Sequence, residues 1–142
     1  MKITVAESAG FCFGVNKAVS RLCNLIDNND NVNVYTLGPI IHNEQVVDYF
    51  HSQGVNVINS VKEAEEASKV VIRTHGVTPE HYEEMKDNNI EIIDATCPYV
   101  KKIHNLVRKK FAEGYKIIIA GDKSHPEVIG INGWCNNTAI II

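Results

Sequence analysis

Five side chains of the kinds that bind metals and phosphates fall at comparable places along this chain. Cys12, His42, His75, Cys97 and His125 each follow a segment that reads as a β-strand. Thiolates ligate zinc and iron–sulfur clusters, whereas imidazoles ligate metals or donate hydrogen bonds to phosphate oxygens. A single loop histidine is usually a surface residue, but five reactive side chains on corresponding corners point to a shared site. Two residues beyond His125, Glu127 could donate or relay protons; its plainer reading is a carboxylate at a helix start, favoured there by the dipole. The thiols lack the local C-x-x-C pairing common in zinc sites, so a zinc centre and a cluster held from separate loops both remain open.

The corner Asp94-Ala95-Thr96-Cys97-Pro98-Tyr99 organises the rest. The apolar run from Ile90 to Ile93 stops there, and a helical pattern runs from Tyr99 to Ala112. Pro98 suits a first helical position and Thr96 a cap, which places Cys97 at the positive end of a helix dipole. The plainer alternative is a small buried residue closing a tight corner.

Around it the chain alternates. Lys2 to Ala6 reads as a short strand, followed by the glycine-bounded loop Ser8 to Gly14 and a helix from Val15 to Ile26, with Cys23 in its apolar stripe. Residues 27–31 break that helix. Val32 to Leu37 alternates as a strand and leads through Gly38 to Asn43 into a helix from Glu44 to Ser52. A strand from Val55 to Ile58, a small acidic helix from Val61 to Ala67 and a buried strand from Val70 to Ile72 come next. Thr78 and Pro79 open a helix reaching Asn88. After the Cys97 corner, Gly114 stops the helix, Lys116 to Ala120 reads as a buried strand, and Ala139 to Ile142 as a last one. His51, His81 and His104 fall inside helices and read as surface or packing residues. Repeated β-α units of this kind predict an α/β fold with mainly parallel sheets, and ligands in such folds bind beyond the carboxyl ends of the strands.

With 142 residues, 44% apolar and 22% charged, the chain can build a real core. A net charge of −3 with scattered basic residues gives no footprint for nucleic acid or an anionic membrane; Lys69, Arg73 and the Lys101-Lys102 and Lys109-Lys110 pairs read as solvated ends of elements. No apolar run reaches the ~18 residues of a membrane span, and Met-Lys-Ile-Thr-Val has no signal-peptide core, so a cytoplasmic location is expected. Four separated cysteines fit reduced thiols or metal ligands better than disulfides.

Gly10-Phe11-Cys12-Phe13-Gly14-Val15, Gly38-Pro39-Ile40-Ile41-His42-Asn43, Thr74-His75-Gly76-Val77, Asp94-Ala95-Thr96-Cys97-Pro98 and His125-Pro126-Glu127-Val128, in this order, resemble the amino-terminal half of the 4-hydroxy-3-methylbut-2-enyl diphosphate reductases. That family catalyses the last step of the non-mevalonate isoprenoid pathway. The resemblance implies an oxygen-sensitive [4Fe–4S] cluster on three cysteines, two of them Cys12 and Cys97. It implies that His42 and His75 bind the substrate diphosphate, that His125 lines the pocket, and that Glu127 delivers protons during a two-electron reductive dehydration to isopentenyl and dimethylallyl diphosphate, with ferredoxin or flavodoxin as electron donor.

The family fold has three α/β lobes around the cluster, with its third cysteine and a Ser-x-Asn diphosphate motif in the carboxyl-terminal half. Neither occurs here, and Cys135 does not match a family ligand. The chain is therefore expected to comprise a strand and cluster loop (1–13), a first lobe (14–95) and an incomplete second lobe (96–142), inactive alone and prone to self-association through uncovered apolar faces. A diphosphate-binding module without redox chemistry, or a small zinc protein using Cys12, Cys97 and one histidine, are the alternatives.

Overall fold

The computed structural model describes residues 1–28 and 32–142. Four parallel strands form the main sheet: β1 (Val34–Leu37), β2 (Asn56–Ile58), β3 (Lys69–Ile72) and β4 (Glu91–Asp94), in spatial order β2-β1-β3-β4. The connections are β-α crossovers, as the alternation requires. Helix α2 (Glu44–Ser52) follows β1, a 3-10 turn over Val61–Glu63 follows β2, and α3 (Pro79–Asp87) follows β3. Because Leu37 pairs with Ile72, and Ile72 with Asp94, three strands end level along one edge. Three of the reactive corners start from that edge.

The pleat of β3 explains the two cores. Val71 faces a cluster with Ala18, Leu22, Ile40 and Phe50, supplied partly by α1 (Phe13–Asp27) and α2. Val70 and Ile72 face the other way, onto Leu37, Val61 and Met85, the last from α3. Alternate residues of a strand point to opposite faces, so a continuous Val-Val-Ile run means burial on both. A smaller layer joins α4 (Pro98–Ala112) and α5 (Pro126–Gly133) through Val107, Ile131 and Cys135. It carries a two-stranded parallel sheet, β5 (Ile118–Ile119) with β6 (Ile140–Ile141). No helix among the described residues is long and apolar enough to cross a membrane.

Several expectations need correction. Lys2 to Ala6 form no strand and are exposed, since an alternating run has nothing to pair with unless a sheet edge is offered. The helix expected over Val61 to Ala67 shortens to the 3-10 turn, held by a capping box between Ser60 and Glu63. The strand expected to be buried over Lys116 to Ala120 is only Ile118–Ile119, with Ile118 63% exposed, because its sheet has just two strands. The break predicted over residues 27–31 lies mostly outside the described residues; α1 ends at Asp27.

Candidate functional site

Helix α4 begins at Pro98, as its sequence suggests, but its cap is not the expected residue. Cys97, not Thr96, is its N-cap, with Pro98 at the first helical position. Thr96 instead turns inward and is buried, its N–H donating to Asp94 Oδ1 at 2.9 Å. Asp94 then fixes the corner: Lys101 Nζ lies 2.6 Å from its other carboxylate oxygen, and Arg21 donates to its carbonyl at 3.0 Å. Burial alone would raise the Asp94 pKa, but the hydrogen bonds from Lys101 and Thr96 outweigh it and hold the carboxyl below its usual value.

The reactive corners are tied to one another through backbone. The Cys97 N–H donates to the Thr74 carbonyl at 2.9 Å, next to His75. Thr74 in turn donates to the Ile40 carbonyl from both its N–H (3.3 Å) and its hydroxyl (3.2 Å), two residues before His42. His42, on an exposed loop, is followed by Asn43, which caps α2 by accepting from the Val46 N–H. His125 is the N-cap of α5, and its Nδ1 accepts from the Glu127 N–H at 3.2 Å. A neutral imidazole that accepts at Nδ1 carries its proton on Nε2, which leaves a donor facing outward.

His42, His75 and His125 converge. One nitrogen from each lies within 4.8 Å of the others. The ring centroids are 4.5 Å apart for His42 and His75, 5.6 Å for His75 and His125, and 6.0 Å for His42 and His125. Burial, together with the charges of His42, Arg73 and His125, pushes the His75 pKa down to about 4. At neutral pH His75 is therefore an uncharged donor and acceptor rather than a cation.

The thiols lie at two helix starts that meet. Cys12 is exposed and is the N-cap of α1, and Cys97 is half-buried. Gly14, two residues into the chain beyond Cys12, abuts Cys97: a Cβ there would stand 2.6 Å from its sulfur. Both thiols are free. The other two cysteines turn away, Cys23 packing against the first core and Cys135 fully buried with its thiol directed at the Asn132 carbonyl, 3.2 Å away. Two uncrosslinked thiols at the starts of neighbouring helices are donors of the kind that ligate zinc or an iron–sulfur cluster.

Residues 3–142 match the family model described as LytB protein. The chain belongs to the LytB family. It is 46% identical to the 4-hydroxy-3-methylbut-2-enyl diphosphate reductase of Alkaliphilus oremlandii and equally to that of Clostridioides difficile, in each case over all of this chain and 50% of the relative. Its fold superposes on that of a solved (E)-4-hydroxy-3-methyl-but-2-enyl diphosphate reductase, described as the terminal enzyme of the non-mevalonate pathway, with a TM-score of 0.83 at 43% identity, covering 99% of this chain and 50% of the other. The reductase structure from Plasmodium falciparum gives a TM-score of 0.91 at 30% identity over 96% of this chain and 42% of the other. The chain thus spans about half the length of the relatives it matches. The α/β fold expected from the five motifs is the fold of this family.

Two residues beside the site are more deeply placed than sequence position suggests. Arg73, expected at a solvated strand end, is half-buried; its Nε is buried without a partner, and burial lowers its pKa. His104 is 3% exposed and stacks on Trp134, with centroids 5.4 Å apart. Its ring fills the space against Gly76, where a Cβ would stand 2.5 Å from Cε1, and Gly130, where one would stand 3.6 Å from Nε2. His104 is a packing residue, but one that wedges the Cys97 helix against both the His75 turn and the His125 helix. The sequence held one hint of this: glycines at 76 and 130 flank two of the motifs, and a glycine often marks a close approach.

Proposed function

We propose that this chain supplies half of the active site of a 4-hydroxy-3-methylbut-2-enyl diphosphate reductase. The observation that carries the reading is the convergence of His42, His75 and His125 from three separate corners, one of them hydrogen-bonded through Thr74 to the Cys97 corner. Three imidazoles offering N–H groups, one held in the Nε2–H form, suit the oxygens of a diphosphate.

The overall chemistry replaces a C–O bond by C–H: two electrons and two protons enter, and the hydroxyl leaves as water. A [4Fe–4S] cluster, held here by Cys12 and Cys97 and by a third cysteine outside this chain, would supply the electrons and a Lewis-acidic iron. The chain's own residues do the rest. His42, His75 and His125 anchor the diphosphate and so fix where the far end of the substrate lies. Glu127, half-buried in the first turn of α5, holds the proton that its carboxyl delivers as the hydroxyl departs.

The division into residues 1–13, 14–95 and 96–142 follows the same reading. So do ferredoxin or flavodoxin as electron donor and a cytoplasmic setting. Tyr99, Ile103 and Leu106 form an exposed apolar stripe along α4, 66%, 40% and 56% exposed, which a further lobe would cover and which favours self-association without one.

The test is calorimetric titration with pyrophosphate. The chain should bind it, and His42→Asn, His75→Asn and His125→Asn should each weaken binding about tenfold while leaving the unfolding transition in place. Binding unchanged in all three would refute the assignment.

A further inference from the structure

A cavity adjoins the His75–Gly76 turn and, through Pro126 and Gly130, helix α5. It holds about 130 Å³ and is lined by Gly38, Asn59, Arg73, Gly76, Thr78 and His81, closed on its apolar side by Leu37, Val77 and Ile129. None of the three clustered histidines and no carboxylate lines it. Arg73 is the only permanent charge in its wall, and among the described residues it has no ion pair: the pairs present are Lys101 with Asp94 and Lys110 with Glu113. Glu80 hydrogen-bonds Thr78 from an exposed position outside the lining.

Half-burying a guanidinium without a counter-charge is costly, and proteins normally avoid it. Here the chain holds it in place. Residue 38 sits at a φ of +72°, and any Cβ there would overlap the guanidinium, so glycine is needed both for the turn and to admit Arg73. The Nε, buried and unpartnered, is a charge-assisted donor with nothing to donate to. Asn59 shares the lining of the same cavity. A cavity of about 130 Å³ has room for several waters or for a small oxyanion.

We infer that this cavity is an oxyanion subsite in which Arg73 binds a phosphoryl group, distinct from the three-histidine cluster. The phosphoryl group comes either from free inorganic phosphate or from the terminal phosphate of a diphosphate. In both cases the recognition is the same, a guanidinium meeting a dianionic oxygen set. The subsite does not depend on the reading given above: a chain that binds pyrophosphate through its histidines but is indifferent to Arg73 keeps that reading and loses this one.

The experiment is thermal unfolding of the 142-residue chain in phosphate-free buffer, with inorganic phosphate and pyrophosphate added in separate titrations. Ligands that bind only the folded state raise the transition in proportion to occupancy. Arg73→Gln should leave the transition temperature without anion unchanged or higher, because it removes an unpaired charge, and should weaken the anion response at least about tenfold. Arg73→Lys, which keeps the charge but loses the planar donor set, should fall between. His42→Asn should retain the response to inorganic phosphate. An Arg73-dependent response to inorganic phosphate identifies the free anion as ligand, and one seen with pyrophosphate alone identifies the terminal phosphate. The subsite is overturned if Arg73→Gln lowers the transition by several degrees without anion, if it leaves the response to both anions intact, or if His42→Asn abolishes the phosphate response as fully as Arg73→Gln does.

Discussion

Gly14 and Cys97 lie against each other, so that a single methyl at position 14 would stand 2.6 Å from the Cys97 sulfur. This contact joins the start of α1, capped by Cys12, to the start of α4, capped by Cys97. Gly14→Ala should therefore interfere with whatever the two thiols hold in common before it affects the fold. After anaerobic reconstitution the variant should retain several-fold less iron than the parent, with an unchanged far-ultraviolet circular dichroism spectrum. Equal iron in both proteins would mean that the thiols do not share a ligand.

The wedge made by His104 gives a stability prediction. Gly76→Ala meets the His104 ring and also forces a side chain into a φ of +71°, so it should cost on the order of 2–4 kcal/mol. His104→Ala should cost a similar amount by opening a cavity against Trp134. Because the ring would be absent, the double variant should lose less than the sum of the two. Urea unfolding at pH 7.5 measures all three, and strict additivity would show that the two residues do not meet.

Acid should destabilise the chain over a defined window. His75 and His104 each have a pKa lowered to about 4 in the folded state, His75 mainly by burial and then by neighbouring charges, His104 by burial. Both titrate near 6.5 when unfolded. Above pH 6.5 neither binds a proton in either state; between pH 6.5 and 4 the unfolded chain binds them and the folded chain does not. Stability should thus fall as pH is lowered through that interval, by on the order of 2–3 kcal/mol once the partial exposure of His75 is allowed for. In His104→Phe this loss should be roughly halved. A flat profile from pH 7 to 4 would contradict the burial of both rings.

Much of this fold could be read from local chemistry. Pro79 and Pro98 do stand at the first positions of α3 and α4, and α2 runs from Glu44 to Ser52 as its spacing requires. Parallel pairing followed from the uninterrupted Val70-Val71-Ile72 run. What local chemistry could not supply was burial set by distant partners. Arg73 looks like a solvated strand end until Gly38 closes over it, and His104 looks like any helical histidine until Trp134, 30 residues on, is stacked against it. Lys2 to Ala6 shows the reverse error, an alternating pattern with no edge to join. The Cys97 cap was displaced by one residue because Asp94, rather than Thr96, supplies the side chain that turns the corner.

Glu127 should matter to turnover and not to binding. In a protein that includes the remaining length of its relatives, Glu127→Gln should lower kcat at least about a hundredfold while leaving pyrophosphate affinity within about twofold. Unchanged kcat would return Glu127 to its local role beside the His125 cap.

The most direct test of the shared-thiol site is anaerobic reconstitution of the 142-residue chain with iron and sulfide, followed by its visible spectrum and its iron and sulfide content. With Cys23 and Cys135 packed away, two thiols remain for a cluster that needs more, so the chain should acquire a broad visible absorbance that is easily bleached by chelator. Cys12→Ser and Cys97→Ser should each abolish it, and Cys135→Ser should not. A colourless protein that takes up zinc instead, or a spectrum that survives loss of Cys12 and Cys97, would contradict the account.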